Sequence, residues 1–96
     1  MEWTDEAKSQ CRSLPRFSRS DRIRLFYNVH EQLSRVSDDF RNDPENRDDP
    51  GATEFRWVLI FTLDNGDPAT ILFVVDDQAA VFGRLQIISV QLIDSL

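Results

Sequence analysis

The hydrophobic positions near the start of the chain have the spacing of a short amphipathic helix. Ala7, Cys11 and Leu14 fall at i, i+4 and i+7, which places them on one helical face. Thr4 is a favourable N-cap residue before this stretch, and Pro15 disfavours helical dihedral angles at the residue before it. The pattern predicts a helix between Thr4 and Pro15, preceded by a very short strand over residues 1–3.

A second, longer hydrophobic stripe follows the proline. Its members recur at helical spacing and are Phe26, Val29, Leu33, Val36 and Phe40, with Ile23 and Tyr27 widening the stripe. Ser18 or Ser20 can cap this helix, and Ser18 with Asp21 resembles a capping box. Because a stripe of this kind must lie against another surface, we predict a helical hairpin over residues 1–41.

Residues 42–53 carry a different signal. They contain two prolines, a glycine and no large apolar side chain, which predicts a loop. The loop is long enough to be a binding or lid segment, although a plain polar connector is the favoured interpretation.

The second half of the chain has the period-two pattern of β-strands. In residues 54–63 one face is entirely apolar, and its members are Phe55, Trp57, Leu59, Phe61 and Leu63. The other face, which carries Arg56, Val58, Ile60 and Thr62, is apolar in its middle. A strand that is apolar on both faces is typically central in a sheet.

The remaining strands are marked by their turns. Residues 64–68 contain an Asn-Gly pair, which predicts a hairpin. A second strand over residues 69–75, a turn at 76–78 and a third strand over 80–92, with Gly83 as a candidate bulge, complete a meander within residues 54–94. The prediction is one α+β domain over residues 1–96, in which an N-terminal helical hairpin packs on a three- to four-stranded antiparallel sheet.

Charge is distributed unevenly along the chain. The net charge is −6, which opposes bulk attraction to nucleic acid. Yet residues 8–24 contain a group of six cations, which are the candidate binding residues: Lys8, Arg12, Arg16, Arg19, Arg22 and Arg24. A solvated helix face explains such a group, and the alternative is a patch for an anionic partner.

Few residues are suited to catalysis. One histidine and one cysteine exclude a structural zinc site, and three glycines at unrelated spacings exclude a phosphate-binding loop, so no metal or cofactor is predicted. His30 and Cys11 fall on the helix stripes and are predicted to be partly buried. Metal-free RNA cleavage is the one surviving chemistry, and its candidate residues are Arg56, Arg84, Tyr27 and His30. The absence of a leader-like start and of a long apolar run predicts a cytoplasmic protein.

Several segments together resemble the RelE/ParE toxin superfamily of bacterial toxin–antitoxin systems. The sequence Glu-Trp-Thr-Asp-Glu-Ala at residues 2–7, Leu-Pro at 14–15 and Asp-Arg-Ile at 21–23 are similar to the start of that family. Phe-Arg-Trp-Val at residues 55–58 and Ile-Leu-Phe-Val-Val-Asp-Asp at 71–77 are similar to two of its strands. The resemblance implies a helical hairpin on an antiparallel sheet, an antitoxin partner and, in one branch, mRNA cleavage on the ribosome.

The chain departs from that family where its ribonuclease residues lie. The last strand lacks the family's histidine and tyrosine, and residues 71–73, Ile-Leu-Phe, lack its arginine. The resemblance therefore implies a divergent toxin-fold protein that binds a cognate antitoxin, with weak or no ribonuclease activity. A non-enzymatic interaction module that forms a homodimer is the alternative, because residues 80–92 are very apolar. A direct RNA or ribosome binder that uses the arginines comes third.

Overall fold

Along the chain, a two-residue strand is followed by two helices and then by three longer strands. The computed structural model describes residues 2–36, 44–46, 54–77 and 85–93. Its elements are β1 (Glu2–Trp3), α1 (Asp5–Arg12), α2 (Arg19–Leu33), a 3₁₀ turn (Pro44–Asn46), β2 (Glu54–Thr62), β3 (Pro68–Asp77) and β4 (Leu85–Leu92). The α+β class and the early helical pair are as predicted. Arg84, Phe40, Gly83 and most of the predicted 42–53 loop lie outside the described residues.

The four strands form one sheet in the order β1-β4-β3-β2. β2 pairs with β3 and β3 with β4 in antiparallel fashion, as the turns predict. β1, however, pairs with β4 in parallel, with Trp3 opposite Ile87. The sheet is therefore mixed, and the wholly antiparallel prediction is wrong. Apolar alternation indicates which face of a strand is buried but not which strand lies beside it, so it could not reveal this neighbour.

β2 is the terminal strand of the described sheet, and the prediction that it is central is wrong. Phe55, Trp57 and Phe61 are buried on its inner face, as predicted. On its outer face Val58 and Ile60 are 49% and 73% exposed. The apolar middle of that face therefore lies at the surface of the described fold and is not a second buried layer.

α2 faces the sheet through a row in which Val29 and Leu33 belong to the predicted stripe, whereas Leu25 does not. Leu25, Val29 and Leu33 recur every four residues and are almost fully buried. Phe26 and Tyr27, which were assigned to the buried stripe, are 44% and 68% exposed, and Ile23 is exposed with them. Phe26 and Tyr27 lie one and two positions after Leu25, a rotation of roughly 100° to 200° away from the core.

The helices cover one face of the sheet and enclose the core with it. The largest fully buried side chains include three phenylalanines, Phe55, Phe61 and Phe73. α1 lies over β4, where the side chain of Gln10 accepts a hydrogen bond from the Val90 N–H at 2.7 Å. The predicted caps are present: Thr4 accepts from the N–H of Ala7, and α2 begins with the predicted capping box.

The strand ends differ in how well local signals predicted them. The Asn-Gly turn is confirmed, with Gly66 at φ 92°, a value that glycine adopts without strain. The predicted turn at residues 76–78 is wrong at its first two positions, since Asp76 and Asp77 continue β3 and pair with Gln86 and Leu85. Cross-strand pairing there extends the ladder past two residues that usually favour turns.

Candidate functional site

A groove runs between α1 and α2 on the side of the helical layer that reaches Trp3. Its volume is about 290 Å³, and six residues line it: Trp3, Lys8, Cys11, Arg12, Arg22 and Phe26. We call it the interhelical groove. The sequence gives it an apolar floor and a cationic rim. α1 contributes residues one helical turn apart, and α2 contributes residues from the face that the core does not use.

Aromatic side chains supply most of the apolar floor of the groove and also form its wall on the side of Trp3. Trp3 stacks on Phe26 with ring centroids 5.7 Å apart, and its edge packs against Phe73 in the core at 6.4 Å. Phe26 also meets Tyr27 edge to face at 5.8 Å. With Ile23, Phe26 and Tyr27 form an exposed apolar strip on α2 beside the groove. This strip continues the apolar floor outward, so the available apolar surface is larger than the groove itself.

His30 is half-buried at the end of this aromatic cluster. Its Nε2 accepts a hydrogen bond from the Trp3 indole N–H at 3.0 Å, and its ring centroid lies 4.4 Å from that of Phe26. Burial, and then the positive charge of the amino terminus, lower the pKa of His30 below 6.5. The imidazole is therefore held neutral, and the prediction of a partly buried, hydrogen-bonded histidine is confirmed.

Cys11 contributes a small apolar surface to the groove. It is half-buried and packs against the core. Burial raises the pKa of its thiol above 9.0 even though Arg22 and Arg12 act in the opposite direction. Because the thiolate is the reactive form, this side chain serves packing better than nucleophilic attack, as the sequence predicts.

The six candidate binding cations do not share one surface. Lys8, Arg12 and Arg22 line the interhelical groove, and Arg22 also donates to the backbone carbonyl of Arg12 at 3.0 Å, at the end of α1. Arg19 is the first residue of α2, and Arg16 occupies the preceding turn with a left-handed backbone at φ 67°.

Arg24 belongs to a different set of contacts. Its guanidinium lies 2.9 Å from both Asp21 and Asp64, donates to the carbonyl of Thr62 at 3.0 Å and lies 4.7 Å from the centroid of the Phe61 ring. These partners tie α2 to the β2–β3 turn. Arg24 therefore has a structural role, and three of the six predicted cations remain at the groove.

The candidate catalytic residues are not brought together. Arg56 is exposed on β2 between Phe55 and Trp57, which face the core, so its side chain lies on the outer face of the sheet. Tyr27 is exposed on the helical layer at the opposite face, and Arg84 lies outside the described residues. His30 is on the same helix as Tyr27, but its Nε2 is bonded to Trp3. Among the described residues, then, these groups do not form one acid–base site.

A second concave surface lies on the outer face of the sheet. Its volume is about 520 Å³, and it is lined mainly by Glu45, Asn46, Arg56, Val58, Leu72 and Ile93. The 3₁₀ turn forms one of its sides. Of its apolar residues, Val58 had been assigned from the sequence to a buried face of β2.

Other kinds of site find no support in the described part of the chain. Over residues 2–36, 44–46, 54–77 and 85–93, no three His, Cys, Asp or Glu side chains are grouped so as to hold a metal ion. Neither described helix has the length and apolarity needed to cross a membrane. No protein-family model matches the chain, and no curated protein or solved structure is significantly similar to it.

Sequence reasoning missed the groove because its lining comes from three separated segments, β1, α1 and α2. Trp3 was assigned to a strand, and Phe26 and His30 were assigned to the core stripe. The available signal was the i, i+4 spacing of Phe26 and His30 together with the apolar Ile23 and Tyr27, which made the helix apolar on more than one face. A helix with apolar residues on two faces has more apolar surface than one sheet can cover.

Proposed function

We propose that this chain is a RelE/ParE-like toxin-fold protein of a toxin–antitoxin system, and that it binds its antitoxin through the interhelical groove. The observation that carries the proposal is the groove itself, an apolar floor of Trp3, Cys11 and Phe26 rimmed by Lys8, Arg12 and Arg22. The sequence resemblance supplies the kind of partner, and the order of one short strand, two helices and three strands agrees with it.

The chemistry of the groove defines the partner. Helix-in-groove recognition uses apolar side chains at i, i+3, i+4 and i+7, which match the floor and the adjoining strip of Ile23, Phe26 and Tyr27. The cationic rim favours glutamate or aspartate on either side of that stripe. The partner is thus an acidic amphipathic helix. Although the whole chain carries −6 charges, the local sign at the groove is positive.

The same proposal includes weak or absent ribonuclease activity. Efficient cleavage requires cations and an acid–base group at one phosphate. Arg56 and Tyr27 lie on opposite sides of the sheet, and His30 already accepts a hydrogen bond from Trp3. These placements favour binding over catalysis.

Inducible expression in a bacterium tests the biological role. The proposal predicts a small acidic or amphipathic partner encoded beside this chain. We expect growth to slow when the chain is expressed alone and to recover when that predicted partner is expressed too. Following mRNA integrity in the same cultures separates growth arrest from cleavage, and we expect the mRNA to stay largely intact. High expression without a growth defect would contradict a toxic function.

Groove variants test the binding site. Lys8→Glu reverses a rim charge, and Phe26→Ala removes part of the floor; each is expected to weaken co-purification with the predicted acidic partner. Ile60→Ser is the matched control, because Ile60 is 73% exposed on the opposite side of the sheet. Binding that survives both groove variants but is lost in the control would place the partner elsewhere.

A homodimer is the second candidate, and one observation favours it. Val58 and Ile60 on β2 and Ile93 after β4 are 49%, 73% and 37% exposed, which is a substantial apolar exposure on one sheet face. A second copy packed there would cover them, as sheets stack about 10 Å apart in sandwiches. Sedimentation velocity over a wide concentration range tests this: the dimer version predicts self-association that Ile60→Lys abolishes, and a monomer at high concentration excludes it.

A further inference from the structure

Trp3 holds one wall of the interhelical groove through very little backbone. Its strand has two residues, joined to β4 by the pairings of Glu2 with Gln86 and of Trp3 with Ile87. The next residue, Thr4, donates its backbone N–H to the carbonyl of Ile87 at 3.0 Å. The Trp3 side chain adds the stack on Phe26, the edge contact with Phe73 and the hydrogen bond to His30. A strand this short depends on its side-chain contacts, because each backbone pairing adds little by itself.

The hydrogen bond from Trp3 to His30 exists in one protonation state only. The indole N–H can donate but cannot accept, whereas the neutral imidazole has one acceptor nitrogen. Here that nitrogen is Nε2, 3.0 Å from the indole nitrogen. Protonation places an N–H on Nε2 as well, so two donors would then face each other at hydrogen-bond distance.

We propose that protonation of His30 releases Trp3 from the wall of the interhelical groove, so that mildly acidic conditions weaken the binding of an acidic helix. The consequence for binding rests on the proposed function of the groove, whereas the movement of Trp3 does not. The two effects are linked. If the position of Trp3 disfavours protonation of His30, then protonation of His30 must disfavour that position of Trp3 by the same free energy.

The charges around His30 support this direction. On its own helix the neighbouring Glu31 is paired with Arg35 at 3.1 Å, and on β1 the register pairs Glu2 with Gln86, one residue away from the inward-facing Trp3. Lys8 and Arg12 are the cations of α1 that line the groove, and the positive amino terminus opposes protonation of His30. The contact between His30 and Phe26 acts in the opposite direction, because a cation over an aromatic ring is favourable. Trp3 stacks on the same Phe26 ring.

The first experiment observes Trp3 without any partner. The indole N–H signals of Trp3 and Trp57 are followed by two-dimensional NMR between about pH 7.5 and pH 5, a range that spans histidine titration. We expect the Trp3 signal, assigned with Trp57→Phe, to shift with the His30 ring signals, at a midpoint below 6.5. His30→Gln is the key variant, because its amide oxygen can accept from Trp3 and does not titrate; its Trp3 signal should not change with pH. A Trp3 signal that ignores His30 titration in the unsubstituted protein would overturn the inference.

The second experiment measures binding of a stated probe, a synthetic helix of about 18 residues with leucines along one face and glutamates on the other. We expect affinity to fall about fivefold between pH 7.5 and pH 5.5 beyond the change seen with His30→Gln, as loss of one hydrogen bond implies. Any effect of pH on the peptide itself is the same in the His30→Gln measurement and therefore cancels. An equal fall of affinity in both proteins would contradict the inference. Failure of the peptide to bind at pH 7.5 would count against the proposed function, while the NMR titration would still decide whether Trp3 moves.

Discussion

The carboxylate of Asp21 accepts a hydrogen bond from the backbone N–H of Asp64 at 2.8 Å, across 43 positions of sequence. Its other oxygen accepts from the N–H of Ser18 at 3.0 Å, and Arg24 lies 2.9 Å from the first. Asp21 is 3% exposed, so a buried charge is compensated by three donors from the start of α2 and from the β2–β3 turn. One side chain thereby caps the helix and attaches it to the sheet.

Asp21→Asn is expected to lower thermal stability strongly. The asparagine oxygen can serve Asp64 and Arg24, but its NH₂ group then faces the N–H of Ser18, and a buried donor is left unpaired. Chemical denaturation and thermal unfolding measure the loss. The matched control is Glu31→Gln on the same helix, whose pair with Arg35 is well exposed and contributes about 0.5 kcal/mol or less. Equal losses in the two variants would contradict the role assigned to Asp21.

Acid should remove the stabilisation that Asp21 provides. The hydrogen bond from the Ser18 backbone, followed by those from Asp64, the Ser18 hydroxyl and Arg24, lowers the pKa of Asp21 from 3.8 to about 2 against the opposing effect of burial. Since the folded pKa lies below the unfolded one, the contribution is complete above 3.8 and is lost as pH falls toward 2. Urea unfolding across this range should show a steeper decline for the unsubstituted protein than for Asp21→Asn. Parallel declines would exclude this linkage.

The N-cap of α1 offers a test with opposite signs at two nearby sites. The Thr4 hydroxyl oxygen accepts from the N–H of Ala7 at 3.1 Å, and removing such a cap typically costs about 1 kcal/mol. Thr4→Ala should therefore lower the free energy of unfolding by about that amount. Ser9→Ala, at an exposed position inside the same helix, should raise it by a few tenths of a kcal/mol. A Thr4→Ala variant as stable as the unsubstituted protein would show that capping is not the operative effect.

Local signals predicted the parts of this fold that depend on short stretches of chain. The N-caps at Thr4 and Ser18 and the positive φ at Gly66 each follow from side-chain or backbone chemistry within four residues. The inner face of β2 also follows, because its alternation is unbroken. These features depend little on what the rest of the chain does.

Features that depend on distant neighbours were not predictable in the same way. The parallel pairing of Trp3 with Ile87 joins residues from opposite ends of the chain, and no short-range pattern encodes it. The apolar outer face of β2 resembles a buried face until the sheet order is known. At the candidate site, the cations at the groove were predicted as a group, but only the fold separates Lys8, Arg12 and Arg22 from the structural Arg24.

The face of α2 that meets the core can be tested by neighbouring truncations. Leu25 is fully buried, so Leu25→Ala should cost about 2–5 kcal/mol through lost burial and cavity formation. Phe26 is 44% exposed, and Phe26→Ala should cost about 1–2 kcal/mol, chiefly from its aromatic contacts. Chemical denaturation gives both values. If Phe26→Ala cost more than Leu25→Ala, the face of α2 predicted from the hydrophobic stripe would be the one that meets the core.

The turn between the two helices stores backbone strain at Arg16, which has a φ of 67°. A residue with a Cβ pays about 1–2 kcal/mol in this region, whereas glycine does not. Comparing Arg16→Gly with Arg16→Ala isolates this cost, because both variants remove the same side-chain contacts. We expect the glycine variant to be the more stable by about 1 kcal/mol, measured by urea unfolding. Lys8, inside α1, gives the reversed pair: Lys8→Ala should exceed Lys8→Gly in stability by about 1 kcal/mol. If alanine were the more stable substitution at both positions, the left-handed conformation of Arg16 would be excluded.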